Sequence, residues 1–216
     1  RTARIINCNY EAGDLLITLN YDEPSFNRLY TGDTNADLEK AGTVAARFLQ
    51  RLKYHCAKSG YDPAVMIFDS DMDGDTGELV RIHHHILIKR TGFTLEDGKL
   101  MIFGKELKKI WKNGAVSFES LRDQDTYTQL AAYLYRQVRR VMPGEKKYHG
   151  TANLKKPVLI SEKIVHSNRR LRLPKGAKLI VRDDTAFKPD GVQYLSYVLP
   201  EKDKGAVDNG HRKEKR

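Results

Sequence analysis

The run RIHHHILIKR at positions 81–90 constrains this chain more than any other stretch. Side chains on a β-strand point alternately to opposite faces. Read that way, Ile82, His84, Ile86 and Ile88 share one face, and Arg81, His83, His85 and Leu87 share the other. The first face is apolar apart from His84 and is expected to pack against helices, with His84 in a structural role. The segment before it, PAVMIFDSD, reads as a second strand, and the polar, glycine-bearing SDMDGDTG between them reads as an antiparallel turn.

The remaining segments fit a sheet of this kind. DLLITLNYD, at 14–22, is rich in β-formers and reads as another strand. Between Gly32 and Gly60, the apolar residues Leu38, Ala41, Ala45, Phe48, Leu49, Leu52 and Cys56 keep a spacing of three or four, which predicts a helix capped by Thr34 or Asn35. MIFGKELKKIWKNGAVSFESL holds a short helix and a further strand. DTYTQLAAYLYRQVRRVM reads as a second long helix, with Tyr127, Leu130, Leu134, Val138 and Val141 along one stripe. This order predicts an α+β fold: a central antiparallel sheet with packed helices. After Pro143 the texture changes to short strand-like runs, KPVLISEKIV, AKLIVRD and VQYLSYVL, joined by basic links. The expected division is a first domain over 1–145 and a basic C-terminal extension over 146–216, its tail mobile.

Charge points to the kind of partner. The 216 residues include 38 Lys and Arg against 28 Asp and Glu, a net charge of +10. Such a surplus attracts polyanions, nucleic acid foremost. It concentrates after Gln137, which makes Arg139, Arg140, Lys155 and Lys156 candidate phosphate contacts, together with Arg81 on the histidine strand. No apolar run approaches the roughly 20 residues of a membrane helix, and nothing resembles a signal peptide. With Cys8 and Cys56 alone, no disulfide framework is expected, so a cytoplasmic, reducing setting is the default. No P-loop sequence for nucleotide binding occurs.

His83 and His85 stand two residues apart on one strand face, so both imidazoles can reach one metal ion. Such a pair wants a third, anionic ligand. Asp69 at the end of the neighbouring strand fits best, with Asp71 and Glu78 as alternatives. Two imidazoles, one carboxylate and open positions suit Mn²⁺ or Mg²⁺, with zinc compatible by ligand type. The stretch from Asp69 also imitates a calcium-binding EF-hand loop through Asp71, Asp73 and Gly74, but the twelfth position, normally Glu, is Val80. A solvated turn is the expectation there. On the second long helix, Tyr133, Arg136, Gln137 and Arg140 fall on one stripe by the i, i+3, i+4 rule, about 100° round from the apolar one. A cation beside a phenol favours the phenolate and holds a phosphate. Tyr135 lies on the opposite flank, and periodicity does not choose between the two tyrosines.

Three of these segments, LLITLNY, RIHHHIL and AAYLYR, occur in the order of the motifs of the HUH endonucleases, and the chain resembles the rolling-circle replication initiators of phages and plasmids over about residues 4–155. IWKNGAVSFESL is also similar to the phage-type initiators. Two departures stand out: His84 occupies a place that is usually apolar, and Arg136 and Gln137 stand where the family usually has Lys. The resemblance implies an HUH sheet of the ferredoxin- or RRM-like kind and a metal-dependent nicking and joining enzyme acting on single-stranded DNA at a replication origin. Tyr133 would be the single nucleophile, forming a 5′-phosphotyrosine and freeing a 3′-OH. His83, His85 and Asp69 would hold the ion, Arg136 would position or neutralise charge, and a host replication helicase would be a partner. A transposase or relaxase of the same superfamily would share the chemistry. A non-catalytic, metal-containing nucleic-acid binder is the alternative of a different class.

Overall fold

The structure, a computed structural model, describes residues 2–139, 147–157, 172–183 and 194–198. In chain order its first unit runs α1 (Thr2–Asn9), β1 (Leu15–Asn20), α2 (Glu23–Leu29), α3 (Thr34–Ala57), β2 (Val65–Met72) and β3 (Leu79–Ile88). A small hairpin sheet follows, β4 (Phe93–Glu96), β5 (Lys99–Ile102) and β6 (Lys105–Glu106), and then α4 (Leu107–Trp111), β7 (Val116–Ser120), α5 (Thr128–Arg136) and β8 (His149–Gly150). The fold is α+β, as expected. Five strands form one sheet in the order β7-β1-β3-β2-β8, and every neighbouring pair is antiparallel.

The histidine strand is at the centre of this sheet, between β1 and β2. Its alternation divides two cores. Ile82, Ile86 and Ile88 join Leu15, Ile17, Leu19, Val65 and Ile67 beneath α3 and α4. Leu87 joins Leu16, Met66 and Phe68 beneath α1 and α5, where Ile5, Ile6, Ala131 and Leu134 close the layer. Helices therefore cover both faces, including the face that carries His83 and His85.

Local sequence explains most boundaries. Helix α3 starts one residue earlier than the capping pattern indicates: the Asp33 carboxylate accepts from the amides of Asn35 and Ala36, so Asp33 is the N-cap. Gly60, at φ +69°, lies just past the helix end. The short helix α2 begins where the Asp22 carboxylate caps the Ser25 amide, with Pro24 in the first turn. α1, α2 and the β4–β6 hairpins were not expected. Each element is too short to show a period in the sequence.

Residues 147–157 fold back on the first unit's sheet. β8 pairs with the β2 edge through Met66↔Gly150 and Ile67↔His149, and the compact unit extends to residue 159. The second unit, 160–216, contains β9 (Lys178–Asp183) and β10 (Tyr194–Val198), an antiparallel pair with an irregularity between Ser196 and Tyr197. Of the expected run KPVLISEKIV, all but its first two residues lie outside the described residues, as does Val141. Among the described residues, no helix is long and apolar enough to cross a membrane.

Gly114 fixes how β7 meets β1. A β-carbon there would overlap the Asn20 carbonyl oxygen and the Asp22 amide nitrogen. On either side, Ala115 and Asn113 carbonyls accept from Asn20 and Asp22 at 2.9 and 2.8 Å. Replacing Gly114 with Ala is expected to lower the unfolding free energy by about 2–3 kcal/mol, the range for backbone clashes that cannot relax. Gly98→Ala, where no atom lies within 4 Å, retains much of that stability because only backbone strain opposes it. Urea denaturation of the two variants checks the contrast.

Candidate active site

The two faces of the histidine strand make separate polar clusters. On the α3 face His84 is completely buried. Its Nδ1 lies 2.7 Å from Asp69 Oδ1 and its Nε2 lies 2.7 Å from the Tyr21 hydroxyl. The other carboxylate oxygen, Oδ2, is 2.9 Å from His149 Nε2. Burial raises the Tyr21 pKa well above the ordinary phenol value, helped by the Asp69 charge. The phenol therefore keeps its proton and donates it to Nε2, while Nδ1–H is donated to Asp69. Burial pushes the Asp69 carboxyl up, but the hydrogen bonds from His149 and His84 outweigh it and hold the group well below the usual carboxylate range.

The structure does not bring the three expected ligands together. Asp69 is cross-strand from His84, so the pleat turns both to the same face, away from His83 and His85. Asp69 is not brought to the pair. Asp71 is buried in an ion pair with Arg139, 3.0 Å from Oδ2 to Nε, and Glu78 is exposed in the turn. Asp73 caps that turn by accepting from the amides of Asp75 and Thr76. The carboxylates of the calcium-loop imitation thus have three unrelated partners.

On the α5 face three donors converge. His83 Nε2 and His85 Nε2 are 3.1 Å apart, and Gln137 Oε1 is 2.7 Å from His85 Nε2. His83 Nδ1 donates to the Arg81 carbonyl at 3.0 Å, which leaves Nε2 as its free acceptor. His85 Nδ1 faces the Thr18 hydroxyl at 3.2 Å. A hydroxyl can accept from Nδ1–H or donate to Nδ1, so either His85 tautomer is satisfied. Burial, and then the His83 charge, lower the His85 pKa to about 4, against a smaller opposing effect of Gln137. His85 is therefore neutral at pH 7, as a metal ligand must be.

Gln137 reaches this place because of an irregularity in β2. The β2–β3 register shifts between Ser70 and Met72, which frees the Asp71 and Met72 amides to donate to the Gln137 carbonyl, each at 3.1 Å. The Asp71–Arg139 ion pair fastens the same point. Four residues earlier, and thus on the same helix face, the Tyr133 ring centroid lies 6.2 Å from that of His85. Gly74 of the β2–β3 turn packs against the Tyr133 ring and Gln137. Tyr135 points elsewhere, with Lys147 Nζ 3.9 Å from its ring centre. Lys147 also donates to the Tyr135 and Val138 carbonyls, capping the helix end.

Of the expected residues, the structure groups His83, His85 and Tyr133, with Arg136 exposed on the same helix. It adds Gln137, which the helical stripe places beside Tyr133 and which brings a neutral amide where a carboxylate is expected. Among the described residues no cluster of three His, Cys, Asp or Glu side chains could hold a metal; the third polar group beside the two imidazoles is an amide. The Arg139 guanidinium, expected on DNA, is held by Asp71 inside the protein. Arg81 lies over the Phe26 ring and donates to the Asp22 carbonyl. Lys155 and Lys156 are exposed, and Arg140 lies outside the described residues. Comparison with protein-family models, curated proteins and solved structures gives no match.

His85 and His149 respond oppositely to pH. The His85 pKa is depressed from 6.5 to about 4, so between those values the unfolded chain binds a proton that the folded chain refuses. Stability therefore falls on acidification through this window, by about 3 kcal/mol at most. The His149 pKa is raised, chiefly by its hydrogen bond to Asp69. Its contribution is present below 6.5 and is lost as pH rises through its folded value. Urea midpoints measured from pH 4 to 8 should show His85→Gln flattening the acid limb and His149→Gln flattening the limb above 6.5.

Proposed function

We propose that this chain is a divalent-metal-dependent enzyme of the HUH type that nicks and rejoins single-stranded DNA, and that it initiates rolling-circle replication. One observation carries the reading: two imidazole nitrogens and an amide oxygen converge beside a helical tyrosine. The donor set fits Mn²⁺ or Mg²⁺. Cis donors around an octahedral ion with bonds of about 2.1 Å are about 3.0 Å apart, close to the 3.1 Å between the two Nε2 atoms. Without a cation, lone pairs on the two Nε2 atoms would face each other whenever both Nδ1 atoms carry the protons.

His83, His85 and Gln137 would hold the ion, which when bound supplies Lewis-acid charge to a phosphate oxygen. The Arg81 carbonyl and the Thr18 hydroxyl orient the two rings. Tyr133 loses its phenolic proton and its oxygen attacks phosphorus. The bond from phosphorus to the 3′-oxygen breaks, and that oxygen takes up a proton. The 5′-phosphate stays on Tyr133. Arg136, one turn along α5, supports negative charge on the phenolate and phosphate. Because the phosphotyrosine preserves the cleaved linkage, attack by a 3′-OH reverses the step with no nucleotide triphosphate. The net charge of +10 supports a polyanionic substrate. A transposase or relaxase would use the same steps.

The test is incubation of the full chain with Mn²⁺ and a random-sequence pool of single-stranded 40-mers, followed by denaturing electrophoresis. A protein–DNA band that survives denaturation is expected. Tyr133→Phe abolishes it, Tyr135→Phe retains it, and His83→Ala or His85→Ala reduces it about 100-fold. Salt-sensitive binding with no covalent band in any condition would leave a non-catalytic binder.

The ligand set has its own measurement. Calorimetric titration with Mn²⁺ should show Gln137→Ala weakening binding about tenfold or more. Asp69→Asn should alter stability and leave Mn²⁺ affinity within about twofold, because its carboxylate serves His84 and His149.

A further inference from the structure

Beside the tyrosine, on the same sheet face, lies an open groove of about 670 Å³. That is within the range of about 300–1,000 Å³ that small organic ligands occupy. Its apolar part comes from Leu16 on β1, Leu121 after β7 and Leu130 on α5. Tyr133 and Arg136 form its α5 wall, so the groove and the site described above share a boundary. Its remaining polar lining includes Glu119, Arg122, Gln124 and Gln129. None of these four side chains, nor that of Arg136, has a hydrogen bond or ion pair with another described residue.

This lining is unlike a phosphate cradle. Glu119 is cross-strand from Leu16, so its carboxylate belongs to the groove's face, where it would repel a phosphate. A carboxylate and two free amides above an apolar surface match a flat heterocycle with donors and acceptors on its edge. Glutamine amides pair with the adenine edge, and carboxylates accept from the cytosine amine. Thymine places a carbonyl oxygen where those bases carry the amine, so acceptor would meet acceptor at Glu119. Apolar and aromatic surface is what an unstacked base seeks in single-stranded recognition. Arg122 and Arg136 are available to the adjoining phosphates.

We propose that this groove is a nucleobase subsite: it holds one unstacked base of the bound strand next to Tyr133 and selects adenine or cytosine, through their exocyclic amines, over thymine. The proposal rests on the single-stranded DNA reading above but not on its covalent step.

The experiment is fluorescence anisotropy with the full chain, EDTA present, and 5′-fluorescein-labelled dA, dC and dT 12-mers. At least one of the dA and dC strands should bind about fivefold or more tightly than dT. Glu119→Gln, and separately the Gln124→Ala/Gln129→Ala pair, should shrink that ratio below about twofold. The salt slope of log Kd should stay unchanged because the phosphate contacts remain. Arg122→Ala should lower affinity for all three strands and reduce the slope. Equal affinity for the three strands in the wild type, a preference that persists in both groove variants, or no binding at all would overturn the proposal. A covalent band without base preference would sink the subsite and leave the enzyme standing. A groove-dependent preference without any covalent band would do the reverse.

Discussion

The pleat of β3 is the constraint on which the site depends. Because the strand is hydrogen-bonded on both sides, by β1 and by β2, it cannot slip without moving its isoleucines out of the α3 core. His84 reinforces that register. A buried imidazole costs free energy unless both nitrogens are satisfied, and here Tyr21 and Asp69 satisfy them at 2.7 Å each. A one-residue slip would leave this triad unpaired and turn His83 and His85 inward. The polar cluster on one face thus holds the orientation of the pair on the other.

The second half of the site comes from far along the chain and depends on a defect in the sheet. If β2 ran regularly to its end, the Asp71 and Met72 amides would not both be free for the Gln137 carbonyl. The bulge makes a two-donor seat for the end of α5, and the buried Asp71–Arg139 pair locks it. Burial of Leu134 and Ala131 on one side of α5 then leaves Tyr133 facing the histidine side, partly open to solvent. Helix packing, bulge and ion pair together set the distance between phenol and imidazole.

The parts legible in the sequence were those with a period. Alternation in 81–90 separated His84 from its neighbours, and the three-to-four spacing located α3 and the buried stripe of α5. The same helical rule put Gln137 beside Tyr133. What the sequence hid was cross-strand register. Asp69 looked like a ligand because it ends the adjacent strand, yet one residue of register decides its face, and no local pattern encodes that. Arg139 looked like part of a basic run, and only the bulge at Asp71 explains why it is held inside. His149, alone in a basic stretch, gave no sign that it would pair with Asp69 across the β8 edge.

The exchange of a carboxylate for an amide in the donor set has an electrostatic consequence on the proposed reading. Two neutral imidazoles and a neutral amide leave a divalent ion its whole formal charge, whereas a ligating carboxylate would cancel half of it. The substrate is an anionic phosphodiester that gains charge density as the phenolate attacks, so the attraction is greatest where the protein contributes no negative ligand. Asp69, turned to the opposite face and hydrogen-bonded by two histidines, puts little competing field on that phosphate. The same reasoning applies to the groove. Glu119 is tolerable near a polyanion only if a base edge, rather than the backbone, comes against it. In both places the sign of the charge facing the strand separates phosphate from base.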